Sequence, residues 1–551
     1  MAEAVPEEID PQDGLSAFLA AVVEDQFQAH PAVARATGDH SADGLVAPVG
    51  AAAHGERVSR LQHLQRRAAQ LGAGEDADQC LDLDTARSVV DSELFSLQVR
   101  RRTFKDPTNL LDFDSPLDVG GYLLRDYAPR PDRLAALCSQ LEQAREWTEE
   151  ALRVLDPQLA APLIELALQG AEGHRDFLER DVAPLGDQLS DLGLRHRLEA
   201  AVRSGQAALA RITAELENRG RTDFAEVALG ADGLRAMLLA QEGLDRSILE
   251  LRQVADDELD RLREARDQLL RTSFQGRPIE EVRRELERDH FTAETLISGA
   301  DGLLAELRHF VEEEAEVSIP DGPRCEVRPS PGFLTAWVSA AYDGVGPLEQ
   351  RPLPSIYYVT TPQPSWSERE TDEWLRYLNR GTLKNTSVHE VYPGHHVQYL
   401  YSLGVSSEIR RFFWTSGSGE GWAHYAELLM IERGLAERDR LLHLAQIEDA
   451  LLRACRYRTT VGIHAEGWPV EEGTQLFIDR IGLDELPARR EAMRATIDPL
   501  YLVYTLGKLE ILGWREEWLR SNRGDLRSFH SQLLSAGCPP LAALGRWLGS
   551  Q

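Results

Sequence analysis

Two strings of residues carry the groups that a metal-assisted hydrolysis needs. The first is His389-Glu390-Val391-Tyr392-Pro393-Gly394-His395-His396. The second is Gly419-Glu420-Gly421-Trp422-Ala423-His424-Tyr425-Ala426-Glu427. A zinc hydrolase takes three protein ligands, keeps a fourth position open and places a base beside it. A helix carrying His-Glu-x-x-His sets both imidazoles on one face, one turn apart, with the Glu next to the activated water. Here the residue four after His389 is Pro393, which cannot ligate. On an unbroken helix His395 would stand about 9 Å and His396 about 10.5 Å along the axis, too far to share one ion with His389. Proline breaks the helical ladder, and the following Gly394 admits unusual dihedrals.

If Pro393-Gly394 bulges out, the string reads His-Glu-Val-Tyr-His and His395 is the second ligand. If the helix runs on more regularly, His396 faces the same side as His389. The sequence leaves both open, with His395 preferred. Glu420 is the expected third ligand and Glu390 the general base. Glu427, two helical turns beyond Glu420, is placed to hold a ligand histidine from behind. Zn(2+) is the expected ion, although two imidazoles and a carboxylate also accept Mn, Co or Fe.

The elements that must position these groups are mainly helical. Apolar residues fall at helical spacing over 13–30, a Gly/Ala/Pro-rich loop follows over 38–54, and one or two helices are expected over 55–104. Breaks stand at Asp106-Pro107 and at Pro129 to Pro131. Long helical patterns fill 132–315, including a leucine stripe from Leu234 to Leu270. Over 316–366 the composition changes to short β-branched and aromatic runs. Val317–Gly322, Cys325–Arg328 and Pro354–Pro362 read as strands of a small sheet, and helices then return. The expected fold is a mainly α, large helical body with a small β-sheet insert just before the metal-binding helix. A helical part over 1–315 and a catalytic part over 316–551 would form one compact unit.

Bulk properties narrow the function. Hydrophobic residues make up 42% and charged residues 27% of the 551, an ordinary globular composition. The formal charge of −31 argues against nucleic acid and against anionic membrane surfaces as partners. Five scattered cysteines without a C-x-x-C pair argue against a cysteine metal site and suit a reducing compartment. The acidic N-terminus lacks a basic, apolar leader, and no apolar run reaches membrane length. A cytoplasmic protein is expected.

The His389-Glu390-x-x-Pro393-Gly394-His395-His396-x-Gln398 string, followed by Glu420 in its Gly-Glu-Gly-Trp-Ala setting, resembles the bacterial domain of unknown function 885 family. That family is placed among the zincin-like metallopeptidases. The Glu420 string is also similar to the Asn-Glu-Gly-Phe-Ala helix of gluzincin aminopeptidases, whose Glu binds zinc. Further similarity lies in Pro31–His40, in Arg453-Ala-Cys-Arg456, in Gly462–Trp468 and in Tyr504-Thr-Leu-Gly507-Lys508. The resemblance implies a helical zincin fold, zinc, and peptidase-like or amide-hydrolase activity. Three positions depart from the family pattern: Thr460 where an acid is usual, Leu500-Tyr501 where Gly-Gln is usual, and Thr505 where Lys is frequent. These blocks are expected to line the pocket.

Within the resembling blocks, Tyr504 is a candidate oxyanion donor, as a tyrosine is in related gluzincins. His464 is a second candidate donor or acid. Arg453 and Arg456, three apart on one helical face, are candidates to clamp a substrate carboxylate. Lys508, one of only three lysines, is a candidate carboxylate partner. The Ile356–Thr360 run is a candidate edge strand for an extended peptide. The leading expectation is zinc-dependent hydrolysis of a peptide or amide-containing small molecule. The alternatives are a non-peptidase reaction on a specialised metabolite at the same metal site, and an inactive helical binding protein.

Overall fold

The computed structural model describes residues 11–72, 76–332, 334, 338–437 and 439–551. The acidic stretch 1–10, on which the leaderless reading rests, lies outside them. The fold is mainly α, as the sequence predicts, with two small sheets where the sequence predicts one. The first helix spans Pro11–Ala29, and the 55–104 pattern resolves into Ala51–Gln70 and Ala77–Leu94.

The leucine stripe over 234–270 is two helices rather than one, Gly230–Glu242 and Ile248–Ser273. Gly243 ends the first at φ 67, and Ser247 with Glu250 forms a reciprocal cap that starts the second. Both signals are local ones, a left-handed glycine and a Ser-x-x-Glu box, and they override an apolar periodicity that runs through them.

Strands β1 (Gln158–Ala160) and β2 (Gly220–Thr222) pair in parallel and have no counterpart in the sequence reading. The main sheet comprises β3 (Cys325–Pro329), β4 (Ala340–Asp343) and β5 (Ser355–Val359), in the order β3-β5-β4. Val317–Gly322 is not a strand, since Pro320 and Gly322 interrupt it. The Ile356–Thr360 run belongs to the central strand β5, buried at every position, so it is not the edge. The edges are β3 and β4, each paired with β5 on one side.

The apolar core around the sheet joins Tyr357 and Val359 to Val388, Val397, Trp422 and Tyr425, and also to Leu303 and Leu307. A second cluster packs Leu259 and Val282 against Leu444, Phe477 and Met493. Cores therefore cross residue 315. Helices Ser416–Glu432 and Val503–Arg520 approach through glycines. A Cβ on Gly507 would lie 2.2 Å from the Gly417 carbonyl oxygen, and one on Gly421 would lie 2.7 Å from Gly507. This contact brings Glu420 and Tyr504 to the same cavity.

Candidate metal centre

Helix Arg380–Glu390 ends at the base candidate itself, and a new helix, His395–Ser402, starts after the Pro-Gly pair. The Tyr392–Pro393 peptide is cis. The Gly394 N–H donates to the Val388 carbonyl at 3.0 Å, and the Trp422 indole donates to the Pro393 carbonyl at 2.9 Å. Any Cβ at Gly394 would fall 1.7 Å from the His389 carbonyl oxygen, so the turn is closed to every other residue type.

The break returns His395 to His389. Their rings stand edge to face, 4.9 Å between centroids. Both Nε2 atoms converge on one Glu420 oxygen, at 3.3 Å from His389 and 3.5 Å from His395. One potential ligand atom from each of His389, His395 and Glu420 lies within 4.8 Å of the others.

His396 takes the other direction. It is buried, its Nδ1 lies 3.1 Å from the Tyr342 hydroxyl, and burial pulls its pKa down to about 4. Neighbours on a helix differ by about 100° in direction, so the restart at His395 commits one histidine to the cluster and the other to the sheet.

Behind His389 the site is closed by carboxylates and an arginine. Glu427 Oε1 faces the His389 Nδ1 at 2.8 Å and Arg453 Nη2 at 2.9 Å. Asn385 donates to Glu427 at 3.1 Å and to Asp449 at 2.6 Å. Burial opposes the charge on Glu427, but Arg453 and His389 outweigh it and hold the carboxyl well below the usual range. The same contest at Glu420 is won by His395 and His389. A carboxylate on Nδ1 fixes the tautomer that leaves Nε2 free to ligate. Two imidazoles, one carboxylate and this backing fit a zinc ion.

The cluster opens on a cavity of about 1110 Å³. Glu390 lines it, with Oε2 held by the Tyr342 backbone N–H at 2.9 Å. Strand β4 runs along it. Trp414 lies 6.1 Å from the His395 ring and covers Gly419, where a Cβ would meet the indole at 2.0 Å. Opposite stands Tyr504. Burial and the Glu420 charge push its phenol well up, so the hydroxyl stays a donor at neutral pH.

The remaining sequence candidates separate. Arg453 and Arg456 line the cavity, but Arg453 is taken by Glu427, and Arg456 is held by both Glu491 oxygens at 2.8 and 2.9 Å. His464 is outside the cavity lining. It is buried, with Nε2 2.8 Å from the Ala495 carbonyl and its ring edge-on to Phe224. Lys508 is likewise buried away from the cavity and pairs with Glu258 at 2.5 Å. Each side chain is buried on one hydrogen-bond partner outside the cavity lining.

Of the departures from the family pattern, Thr460 donates to its own helix, Thr505 is buried, and Leu500 lines a separate cavity. Only Tyr501 bears on the site, through the arginines above its ring. The sequence reading missed Arg494, which also lines the cavity. It stands in an ordinary amphipathic helix, Glu485–Ile497, with no local motif to mark it.

Comparison with known proteins bears on the family. None of the curated proteins matches the sequence. Two solved structures share the fold over nearly the full length of both chains. One, from Shewanella oneidensis, is provisionally described as a lipoprotein of unknown function. It is 22% identical, covers 97% of this chain and 99% of its own, and superposes with a TM-score of 0.77. The other, from Colwellia psychrerythraea, is also provisionally described as a lipoprotein, and is 18% identical over 98% and 99%, with a TM-score of 0.80. A family model described as "Bacterial protein of unknown function (DUF885)" matches residues 31–548, and the chain belongs to that family.

Proposed function

We propose that the chain is a zincin-like, zinc-dependent hydrolase of peptide or amide bonds. The observation that carries this reading is the convergence of His389, His395 and Glu420, with Glu427 backing His389. Zinc, when held by these three groups, supplies a Lewis acid that polarises a carbonyl and acidifies water.

The chain's own residues do the rest. Glu390 has Oε2 pinned by the Tyr342 amide, which orients the other oxygen for the attacking water. It takes that proton and returns it to the leaving nitrogen. The protonated Tyr504 hydroxyl donates to the oxyanion. Strand β4 is an edge of its sheet among the described residues, and the backbone groups that Glu390 and Arg125 leave untaken offer pairing to an extended substrate. The specialised-metabolite alternative loses most of its motive, because none of the four departing residues is in the cavity lining and only Tyr501 reaches it, through the arginines over its ring.

The compartment is part of the same proposal. Cys138, Cys325, Cys455 and Cys538 form no disulfide among the described residues, which suits a reducing compartment such as the cytoplasm, whereas the two similar structures are described as lipoproteins. Fractionation of the native host decides between them.

The activity test is a mass-spectrometric screen of peptides and N-acyl amino acids with zinc-loaded protein. Cleavage should fall about 10²- to 10⁴-fold in Glu390→Gln with zinc retained. A zinc-loaded wild type that cuts nothing, or a Glu390→Gln variant that cuts equally well, would contradict the reading.

A further inference from the structure

The cavity is lined by seven arginines, and nearly all of them are committed. Arg125 bonds backbone carbonyls and Asp343. Arg410 is held by Asp82, and Arg453 and Arg456 by glutamates. Two have guanidinium groups without a hydrogen bond to the described residues. Arg411 is one, but its Nε is shut in by protein and its group lies against Phe412. Arg494 is the other, and it is open. Its side chain is 45% exposed, and its nearest carboxylate, Asp498, stands at 3.8 Å.

Arg494 is nevertheless not loose. Its Cζ sits 4.5 Å from the centroid of the Tyr501 ring, and Arg456 sits over the same ring at 4.6 Å. Tyr501 is fully buried and its hydroxyl donates to Glu491 at 2.7 Å, so the platform is fixed. A guanidinium stacked on an aromatic ring keeps its plane while its edge N–H groups stay available. The Tyr501 ring packs edge to face with Tyr504, 6.1 Å between centroids, and Tyr504 feels the charges of both Glu420 and Arg494. The open arginine therefore stands beside the candidate oxyanion donor in the cavity wall.

We propose that Arg494 docks the α-carboxylate of the residue leaving from the scissile bond. The substrate class is then a peptide cut at its C-terminal residue, or an N-acyl amino acid. The inference rests on the hydrolase reading above. Its chemical logic is reach: in an amino-acid leaving group the carboxylate is attached to the carbon that bears the scissile nitrogen. A bidentate guanidinium–carboxylate pair is the strongest neutral-pH contact available to such a group. The paired state of Arg453 and Arg456 leaves Arg494 to make it.

The test separates docking from turnover. Zinc-loaded Glu390→Gln protein is titrated calorimetrically with N-acetylphenylalanine and with its carboxamide. The acid should bind about 10- to 100-fold more tightly. Adding Arg494→Ala should bring the acid down to the amide's affinity, Arg494→Lys should restore part of the preference, and Arg411→Ala should keep it. No preference for the acid, or a preference that survives Arg494→Ala, overturns the proposal. In the same way, wild-type protein should release the C-terminal residue from a free-acid peptide and spare its carboxamide. If the Arg494-dependent preference stands and neither peptide is cut, the dock is upheld and the hydrolase reading falls.

Discussion

The two walls of the cavity are built on opposite terms. On the metal side, His389, Glu427, Arg453, Asn385 and Asp449 form one buried network. On the facing side, Tyr504 and Arg494 turn donors to the cavity above a stacked Tyr501. A closed network holds ligand atoms in one geometry, which a metal requires. Open donors on a fixed platform are what a substrate requires, since their partner arrives with it. On the proposed reading, the first wall serves the ion and the second the molecule that is cut.

Substitutions should separate the walls by stability as well as by activity. Glu427→Gln leaves Arg453 buried without its carboxylate and should cost about 3–5 kcal/mol in denaturant unfolding. Zinc affinity should fall about 10- to 100-fold in the same variant. An unchanged midpoint would dissolve the idea of a closed wall.

The Lys508–Glu258 pair, just behind the site, sharpens the same point. Burial works against the Glu258 carboxylate, but Arg261 and Lys508 outweigh it and hold its pKa down at about 2. Its folded pKa lies below its unfolded one, so the pair's stabilisation is complete above the ordinary carboxylate range and fades as pH falls toward about 2. Glu258→Gln should therefore lose about 3–5 kcal/mol near neutral pH. The gap to wild type should close over that acid window, and a gap independent of pH would count against the ion pair. At the small end, Arg494→Ala should shift stability by no more than about 1 kcal/mol, because the half-exposed side chain loses only its stacking on Tyr501 and a long contact to Asp498. A larger loss would place Arg494 with the structural arginines.

Much of the metal wall was legible in the sequence. His389, Glu390 and Glu420 were named from spacing alone, and Pro393-Gly394 was read as the device that brings a second histidine round. The choice between His395 and His396 was not legible, because it depends on where the helix restarts, and that is set by the Gly394 fit against the His389 carbonyl. The facing wall was read less well. His464 and Lys508 stand in blocks that resemble the family, but a block gives residues, not the side of the helix they face. Arg494 shows no signal along the chain because its role comes from Tyr501 and Tyr504, which belong to other elements. In the fold, helices follow from periodicity, whereas β4 has no counterpart in the sequence reading and β5, a candidate edge strand there, is central. Strand order is decided by long-range pairing, which local composition does not encode.

The central claim is that three side chains hold one ion. Elemental mass spectrometry of purified wild type and Glu420→Ala, both after zinc reconstitution, tests it most directly. The account predicts about one zinc per chain in the wild type and its loss in the variant. A wild type that holds no metal, or a Glu420→Ala variant that holds as much, would contradict it.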